Sequence, residues 1–386
     1  MSTAFSVYVH VPFCASRCGY CDFNTYTAQE LMRDGTTVTQ SNYVDSLIAE
    51  IKMASQQLGA KPISTIFFGG GTPTLLAPAA IEKTLVRLEQ EFGFLDDIEI
   101  TIEANPDSVT SESLGRLREA GINRISFGMQ SAVPHVLATL ERTHSPEGLV
   151  AAALAAKAVG FEHLSVDLIY GTPGESLADW RQSIDVALSL PIDHISAYSL
   201  IVEEGTRFAR KVSQGEVVMP DEDLTADKYL MATEAFEAVG FDWYEVSNWA
   251  RPGGQCRHNL AYWNGDDWWG FGPGAHSHLA GQRWWNVKHP AAYAQRLEAN
   301  ELPIMDREFL TPTQREVERL MLGLRIRSGL AISSLPQNAV RQARDDGYLD
   351  SVSFDSGHAV LTTEGRLMAD AVVRSLISEL PFELGE

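Results

Sequence analysis

Three cysteines stand within eight residues, as Cys14-x3-Cys18-x2-Cys21, and the fourth, Cys256, lies far along the chain. Randomly scattered cysteines would fall this close on the order of 4 × 10⁻⁴ times. Thiolate is a soft ligand, suited to iron–sulfur clusters or to zinc. Three thiolates on one loop can hold three corners of an iron–sulfur cube and leave one iron open. That open iron can chelate the amino and carboxylate groups of S-adenosylmethionine. Two plainer uses compete. A zinc knuckle would draw its fourth ligand from Cys256 or a histidine, although zinc sites usually pair C-x2-C units. A disulfide within the cluster would leave an odd thiol, and four cysteines are too few for a disulfide scaffold.

Other polar residues fall where strands end. Gly69-Gly70-Gly71-Thr72-Pro73 closes a short apolar run. Glycine there lets the backbone approach a ligand, and Pro73 fixes the turn. A lone glycine run is more often a plain turn; its place one unit after the cysteine loop gives it weight. Glu103 ends the next run and precedes Asn105-Pro106. Taken singly, Glu103, Gln130, Arg142 and Asp167 read equally well as caps or exposed polar residues. Taken together, an Asp at a strand end can bind a ribose hydroxyl, and an Arg can grip a carboxylate in bidentate fashion.

The elements that must carry these residues alternate. Strands are expected at Ser6 to Val11, Ser64 to Phe68, Ile98 to Ile102, Arg124 to Phe127, Leu164 to Ile169 and Ile195 to Leu200. Helical spacing lies between them, at Ser41 to Leu58, Ala79 to Glu91, Ser111 to Ala120, Pro146 to Val159 and Ala178 to Leu190. A helix Asp223 to Ala238 and a strand near Phe241 to Val246 follow. Strands separated by helices pair in parallel. Polar or glycine residues at nearly every strand's C-terminal end favour a full or partial α/β barrel, which builds its site there from several strands. An open doubly wound sheet would concentrate the signal at one switch point.

From Trp249 to about Pro303 the composition shifts, with six of the eight tryptophans, many glycines and four histidines. Beyond it a helix Gln314 to Arg325, a small hairpin near Val352 to Leu361 and a closing helix Glu364 to Ile377 suggest a winged-helix-like appendage. Residues 301–386 carry 9 basic and 14 acidic residues, so a lid or docking role is expected rather than DNA binding. The expected domains are 1–248, a connecting region 249–303, and 304–386.

With 30 basic and 51 acidic residues the formal net charge is −21. That balance disfavours nucleic acid and anionic membrane surfaces as partners. The 45% hydrophobic content excludes disorder as the dominant state. No apolar run approaches the roughly 20 residues of a membrane span, and no signal-peptide pattern opens the chain, so a cytoplasmic location is expected.

Read in order, the motifs resemble one family. The opening Tyr8-Val-His10-Val-Pro12-Phe-Cys14-x3-Cys18-x-Tyr20-Cys21-Asp22-Phe23 resembles the radical SAM proteins related to oxygen-independent coproporphyrinogen III oxidase. Gly69 to Thr74 (GGGTPT), Glu103 to Pro106 (EANP), Ser126 to Ser131 (SFGMQS) and Asp167 to Pro173 (DLIYGTP) match it in order, and the likeness runs from about residue 6 to residue 376. Within the family the chain is closer to the haem chaperone group. The oxidase is expected to carry another cysteine where Phe23 stands, and a longer segment before the cluster. His258-Asn259-Leu-Ala-Tyr262-Trp263 matches the HNxxYW motif of the chaperone group.

The resemblance implies a partial barrel with a [4Fe–4S] cluster on Cys14, Cys18 and Cys21. It implies S-adenosylmethionine contacts at Tyr8, Tyr20, Gly70, Gly71, Thr72, Glu103, Gln130, Arg142 and Asp167, with Ile201 and His276 aligning less securely. A histidine beside Asn in an aromatic loop is more often structural. Imidazole is nonetheless a normal axial ligand for haem, and the intact motif turns the reading of His258 toward haem contact. His276 and His278 are secondary candidates. The expected function is to bind haem and pass it to an acceptor, a respiratory haem protein, with at most transient contact to membrane proteins and with a dimer left open. Oxidative decarboxylation of coproporphyrinogen III is the alternative, though turnover of that kind is not expected. A zinc-bound structural protein is the third reading.

Overall fold

The computed structural model describes residues 5–34 and 38–380; the outermost residues of the first and last expected domains lie outside them. Six strands follow the expected order: β1 (Phe5–Val11), β2 (Ile63–Gly70), β3 (Phe94–Ala104), β4 (Arg124–Gln130), β5 (His163–Tyr170) and β6 (His194–Ser199). Each pairs in parallel with the next. Helices connect them, among them Gln40–Leu58, Pro78–Phe92, Ser111–Glu119, Pro146–Ala158 and Leu177–Ser189. The expected strands and helices are present, with ends moved by a few residues.

Why the curved sheet has a hollow side follows from alternation along its strands. Val7, Val9 and Val11 of β1, Ile66 and Phe68 of β2, and Ile100 and Ile102 of β3 are buried under the helices. So are Ile125 and Phe127 of β4, Leu164 and Val166 of β5, and Ile195 and Ala197 of β6. The intervening residues face the other way. Tyr8, Phe67, Thr101, Glu103, Arg124, Ser126, Ser165, Asp167, His194 and Ser196 all line one cavity. The apolar core therefore sits between sheet and helices, and most of the polar side chains of the strands are turned to the lumen. This is the partial α/β barrel expected from the strand ends.

Beyond β6 the sheet departs from the simple repeat. The expected strand near Phe241 to Val246 is β7 (Asp242–Glu245), and it makes a hairpin with β8 (Asn248–Ala250). β8 runs antiparallel to β6, so no seventh parallel unit forms. The cause is the connection: only Val246 and Ser247 separate the two strands, and Ser247 turns the chain at φ 91°. A parallel return would need a crossover of a dozen residues or more. The aromatic stretch supplies β9 (Asp267–Phe271), which pairs in parallel with the other edge of β1, then β10 (His276–Leu279) and β11 (Gln282–Asn286). β12 (Ile304–Phe309) completes a linear order β12-β11-β10-β9-β1-β2-β3-β4-β5-β6-β8-β7.

The C-terminal segment has its own apolar cluster, including Leu320, Val340, Leu361, Val373 and Leu376. No hairpin forms near Val352 to Leu361. Asp350 caps a short helix Ser351–Asp355 by accepting the Ser353 amide at 2.8 Å, and His358–Ala359 pairs instead with Leu330–Ala331. On that helix Val352 is 79% exposed, while Phe354 packs against the apolar cluster. The closing helix is divided, as Thr363–Leu367 and Ala369–Ser378.

One buried ion pair ties the outer layer to the site. Lys228, on the helix Glu222–Ala238, donates to Glu175 Oε2 at 2.7 Å, with both side chains fully buried. The same carboxylate oxygen accepts the Gly171 amide at 2.9 Å, which fixes the turn after β5. Removing one partner of a buried pair strands the other charge. Lys228→Met is expected to cost about 3–5 kcal/mol, read as a lower urea midpoint with an unchanged m value.

Candidate functional site

The cysteine loop begins where β1 ends. Tyr26 N–H donates to Pro12 O at 2.7 Å, and Cys14 N–H donates to Tyr26 O at 3.0 Å, so the loop closes on its own base. Asn24 Nδ2 donates to Pro273 O and Lys288 O, at 2.9 and 2.8 Å, which pins the loop to the segments flanking β10 and β11. The turn after β2 grips the same base: Gly71 N–H donates to Val11 O at 2.8 Å and Thr72 N–H to Phe13 O at 2.7 Å. Gly71 has no room for a side chain, because a Cβ would lie 2.4 Å from Phe13 O. Gly70 adopts φ 105°, a conformation that favours glycine, and a Cβ there would meet the His10 ring at 2.5 Å.

A single cavity of about 550 Å³ opens beneath this loop. All thirteen expected site residues line it: Tyr8, Cys14, Cys18, Tyr20, Cys21, Gly70, Gly71, Thr72, Glu103, Gln130, Arg142, Asp167 and His258. Ile201 lines it as well. His276 and His278 do not: they sit on β10, with His276 exposed against Trp285 and His278 against Trp268.

The three loop cysteines are free thiols, each half-buried. Burial raises Cys14 to about 11, and burial likewise pushes Cys21 upward, with Cys18 adding to both as a neighbouring like charge. Arg142 Nη1 lies 3.6 Å from Cys18 Sγ, while Nη2 donates to Asn105 Oδ1 at 3.1 Å and Gly128 O at 3.0 Å. Among the described residues no group of three or more Cys, His, Asp or Glu side chains is drawn together closely enough to hold a metal ion. The donor chemistry of three free thiols on one loop, beside a guanidinium, fits a thiolate-held cluster.

Two carboxyls lie deeper. Glu103 accepts the Gly70 amide at 3.1 Å; burial, then the neighbouring Asp167, raises it from 4.5 to about 8. Asp167 accepts from Ser126 Oγ at 3.1 Å, and burial raises it to about 6. Among the described residues neither forms an ion pair. A buried carboxyl without a cation suits a ligand that brings positive charge, such as an ammonium or sulfonium group. Gln130, at the end of β4, holds φ 62°, an uncommon conformation for a side-chain-bearing residue and one found at ligand sites.

At the cavity's lower end a short helix, Arg257–Trp263, carries the HNxxYW residues. Glu99 accepts the Arg257 and His258 amides at 3.1 and 2.9 Å, taking two donors of the helix N-terminus. Arg124 holds that carboxylate through Nε at 3.2 Å and donates from Nη2 to Gly254 O and Gln255 O at 2.8 and 3.0 Å. His258 is 1% exposed and lowered to about 3 by burial, so it is neutral at any working pH. Both of its ring nitrogens are engaged, by Thr65 and Tyr262. As folded here the imidazole has no free lone pair for a metal.

The sequence reading missed Thr65, Phe67, Glu99 and Arg124 as parts of this arrangement. Alternation could have found them, since they occupy the inward positions of strands whose outward positions are apolar. Asn105, Ser126 and Tyr262 were inside matched motifs without a stated role.

Residues 8–187 match the family model of the radical SAM superfamily. A protein of Mycobacterium tuberculosis named heme chaperone HemW is 47% identical over 376 residues, covering 97% of this chain and 95% of that protein. A Bacillus subtilis protein of the same name is 34% identical, covering 97% of this chain and all of that one. Among solved structures, the coproporphyrinogen III oxidase HemN of Escherichia coli, described as a radical SAM enzyme, superposes with a TM-score of 0.82. At 23% identity, over 98% of this chain and 91% of that one, it shows a shared fold.

The raised carboxyl gives a pH signature. Folded, Glu103 keeps its proton up to about pH 8, whereas the unfolded chain releases it near the ordinary value of 4.5. The native state holds the extra proton between those values, so stability falls as pH rises through that window. Thermal unfolding from pH 5 to pH 8.5 is expected to show this fall, and Glu103→Gln, which cannot ionise, is expected to make it shallower, the buried Glu50, Asp167 and Glu245 supplying the rest. A wild-type profile that rises instead would contradict the burial of an unpaired carboxyl.

Proposed function

The chain belongs to the HemW family of haem chaperones within the radical SAM superfamily, and from that membership we propose that it binds haem and delivers it to an acceptor haem protein. One observation carries the reading into the geometry. The three thiols, the two unpaired carboxyls and the HNxxYW histidine all face a single cavity.

Cys14, Cys18 and Cys21 would hold a [4Fe–4S] cluster. Such a cluster supplies an open iron for the amino and carboxylate groups of S-adenosylmethionine and an electron for its sulfonium. Glu103 and Asp167 would face the positive charge of that ligand, with Glu103 giving up its proton as the charge arrives. Gly70, Gly71 and Thr72 would bring backbone close to it, and Arg142 and Gln130 would flank it at the end of β4. Tyr8 and Tyr20 supply the aromatic walls that exclude water. Haem is the cargo. The acceptor is a respiratory haem protein, met in the cytoplasm, and residues 304–386 are the docking module. The separate apolar cluster and acidic balance of that segment support its use as a distinct surface. Among the described residues no helix is long and apolar enough to cross a membrane.

The test compares two substrates on anaerobically reconstituted protein. With haem, one complex forms and haem moves to an added apo-haem protein, read as loss of the donor's Soret band and gain of the acceptor's. With coproporphyrinogen III, reductant and S-adenosylmethionine, no vinyl product accumulates. Protoporphyrinogen formed over many turnovers would overturn the chaperone reading in favour of the oxidase.

A further inference from the structure

The bonds around His258 run in one direction. Thr65 Oγ1 donates to Ser6 Oγ at 2.9 Å. A hydroxyl has one proton, so the Thr65 oxygen can meet His258 Nδ1, 2.8 Å away, only as an acceptor. The ring proton of His258 therefore sits on Nδ1. Nε2 carries the lone pair, and the Tyr262 hydroxyl, 2.9 Å away, donates to it. Phe67 stacks on the ring at 5.2 Å between centroids, and Tyr262 meets it edge-on at 4.9 Å. Thr65 and Ser6 lie behind the ring, whereas Tyr262 lines the cavity. A neutral imidazole that donates through one nitrogen and offers the other is the form that ligates metals, and the second-shell acceptor fixes it.

We propose that Thr65 is a positioning residue that holds His258 as the Nδ1–H tautomer, and that Tyr262 is a displaceable cap on Nε2. This deepens, and rests on, the reading that haem enters this cavity. In the exchange, the Tyr262 O–H···Nε2 bond breaks and the Nε2 lone pair forms a bond to the haem iron. A water ligand on that iron leaves. The phenol keeps its proton, and no electron moves. Until haem arrives, the cap satisfies a buried lone pair and closes the nitrogen to other metals. The four-residue spacing of His258 and Tyr262 on one helix brings the hydroxyl to the Nε2 edge of the ring.

Two readouts test this on the full-length chain. The first uses haem-free, ¹⁵N-histidine-labelled protein near pH 7.5 and long-range ¹H–¹⁵N correlation. Wild type is expected to show His258 protonated at Nδ1 and bare at Nε2. Thr65→Val, which removes the acceptor, is expected to move the proton to Nε2, and Thr65→Ser to restore Nδ1. The second is haem titration. Thr65→Val is expected to bind about tenfold more weakly or worse, with Thr65→Ser close to wild type. Tyr262→Phe, which folds without the cap, is expected to bind haem several-fold faster. A wild-type ring protonated at Nε2 would overturn the tautomer assignment. Unchanged affinity in Thr65→Val together with unchanged rate in Tyr262→Phe would overturn both roles. If His258→Ala keeps the wild-type haem spectrum and affinity while the haem-free tautomer is as stated, the ligand role of His258 falls and the cap with it. If no variant and no wild type binds haem at all, it is the chaperone reading that fails.

Discussion

The seam between β1 and β2 is the constraint on which the site depends. Two amides of the glycine turn, Gly71 and Thr72, donate to carbonyls at the base of the cysteine loop. That approach is possible because Gly71 has no Cβ to meet Phe13 O. It sets the height of three thiols above the lumen and puts Gly70 within reach of Glu103. The charged groups below then follow from the strand alternation. Among the described residues Glu103 on β3 and Asp167 on β5 have no ion-pair partner within the barrel, so burial raises both, Glu103 to about 8 and Asp167 to about 6. The same alternation puts the apolar faces of the strands under the helices, and the lumen is the other side of a well-filled core.

The lower half of the cavity is held by a different device. Arg124 and Glu99 neutralise each other inside the barrel and both bond the backbone of residues 254–258. A segment from late in the chain is thereby fixed under strands from its beginning. Burial of a charged pair is costly in itself, and here its gain is orientation. The helix Arg257–Trp263 presents His258 and Tyr262 to the lumen at a fixed height.

How much of this was legible depended on how unusual each residue was in its place. Cysteines at this spacing, a triple glycine after an apolar run, and carboxylates at strand ends each depart from what packing alone asks for. The three thiols, Gly70, Gly71 and the two carboxyls face one cavity, and so do Tyr8, Tyr20 and His258, which stood out only through the family resemblance. Thr65, Phe67 and Arg124 were not legible singly, because a threonine or an aromatic within a strand is ordinary there. Their meaning lies in which face they occupy. Pairing was harder still. The parallel junction of β9 with β1 joins distant parts of the sequence, and no local pattern encodes a partner. The β7–β8 hairpin was misjudged because the strand was visible and its two-residue return was not. The hairpin expected near Val352 to Leu361 gives way to a short helix at its start, where the Asp350 cap decides.

The account's central claim is that Cys14, Cys18 and Cys21 together hold a cubic iron–sulfur cluster above the lumen. The most direct measurement is chemical analysis of iron and inorganic sulfide in protein reconstituted under strict exclusion of oxygen, for wild type and for each single Cys→Ser variant, with Cys256→Ser as the comparison. The account predicts about four irons and four sulfides per chain in wild type and in Cys256→Ser, and loss of most of both in any of the other three. Iron and sulfide retained in full after Cys14, Cys18 or Cys21 is replaced, or zinc alone in the wild-type protein, would contradict it.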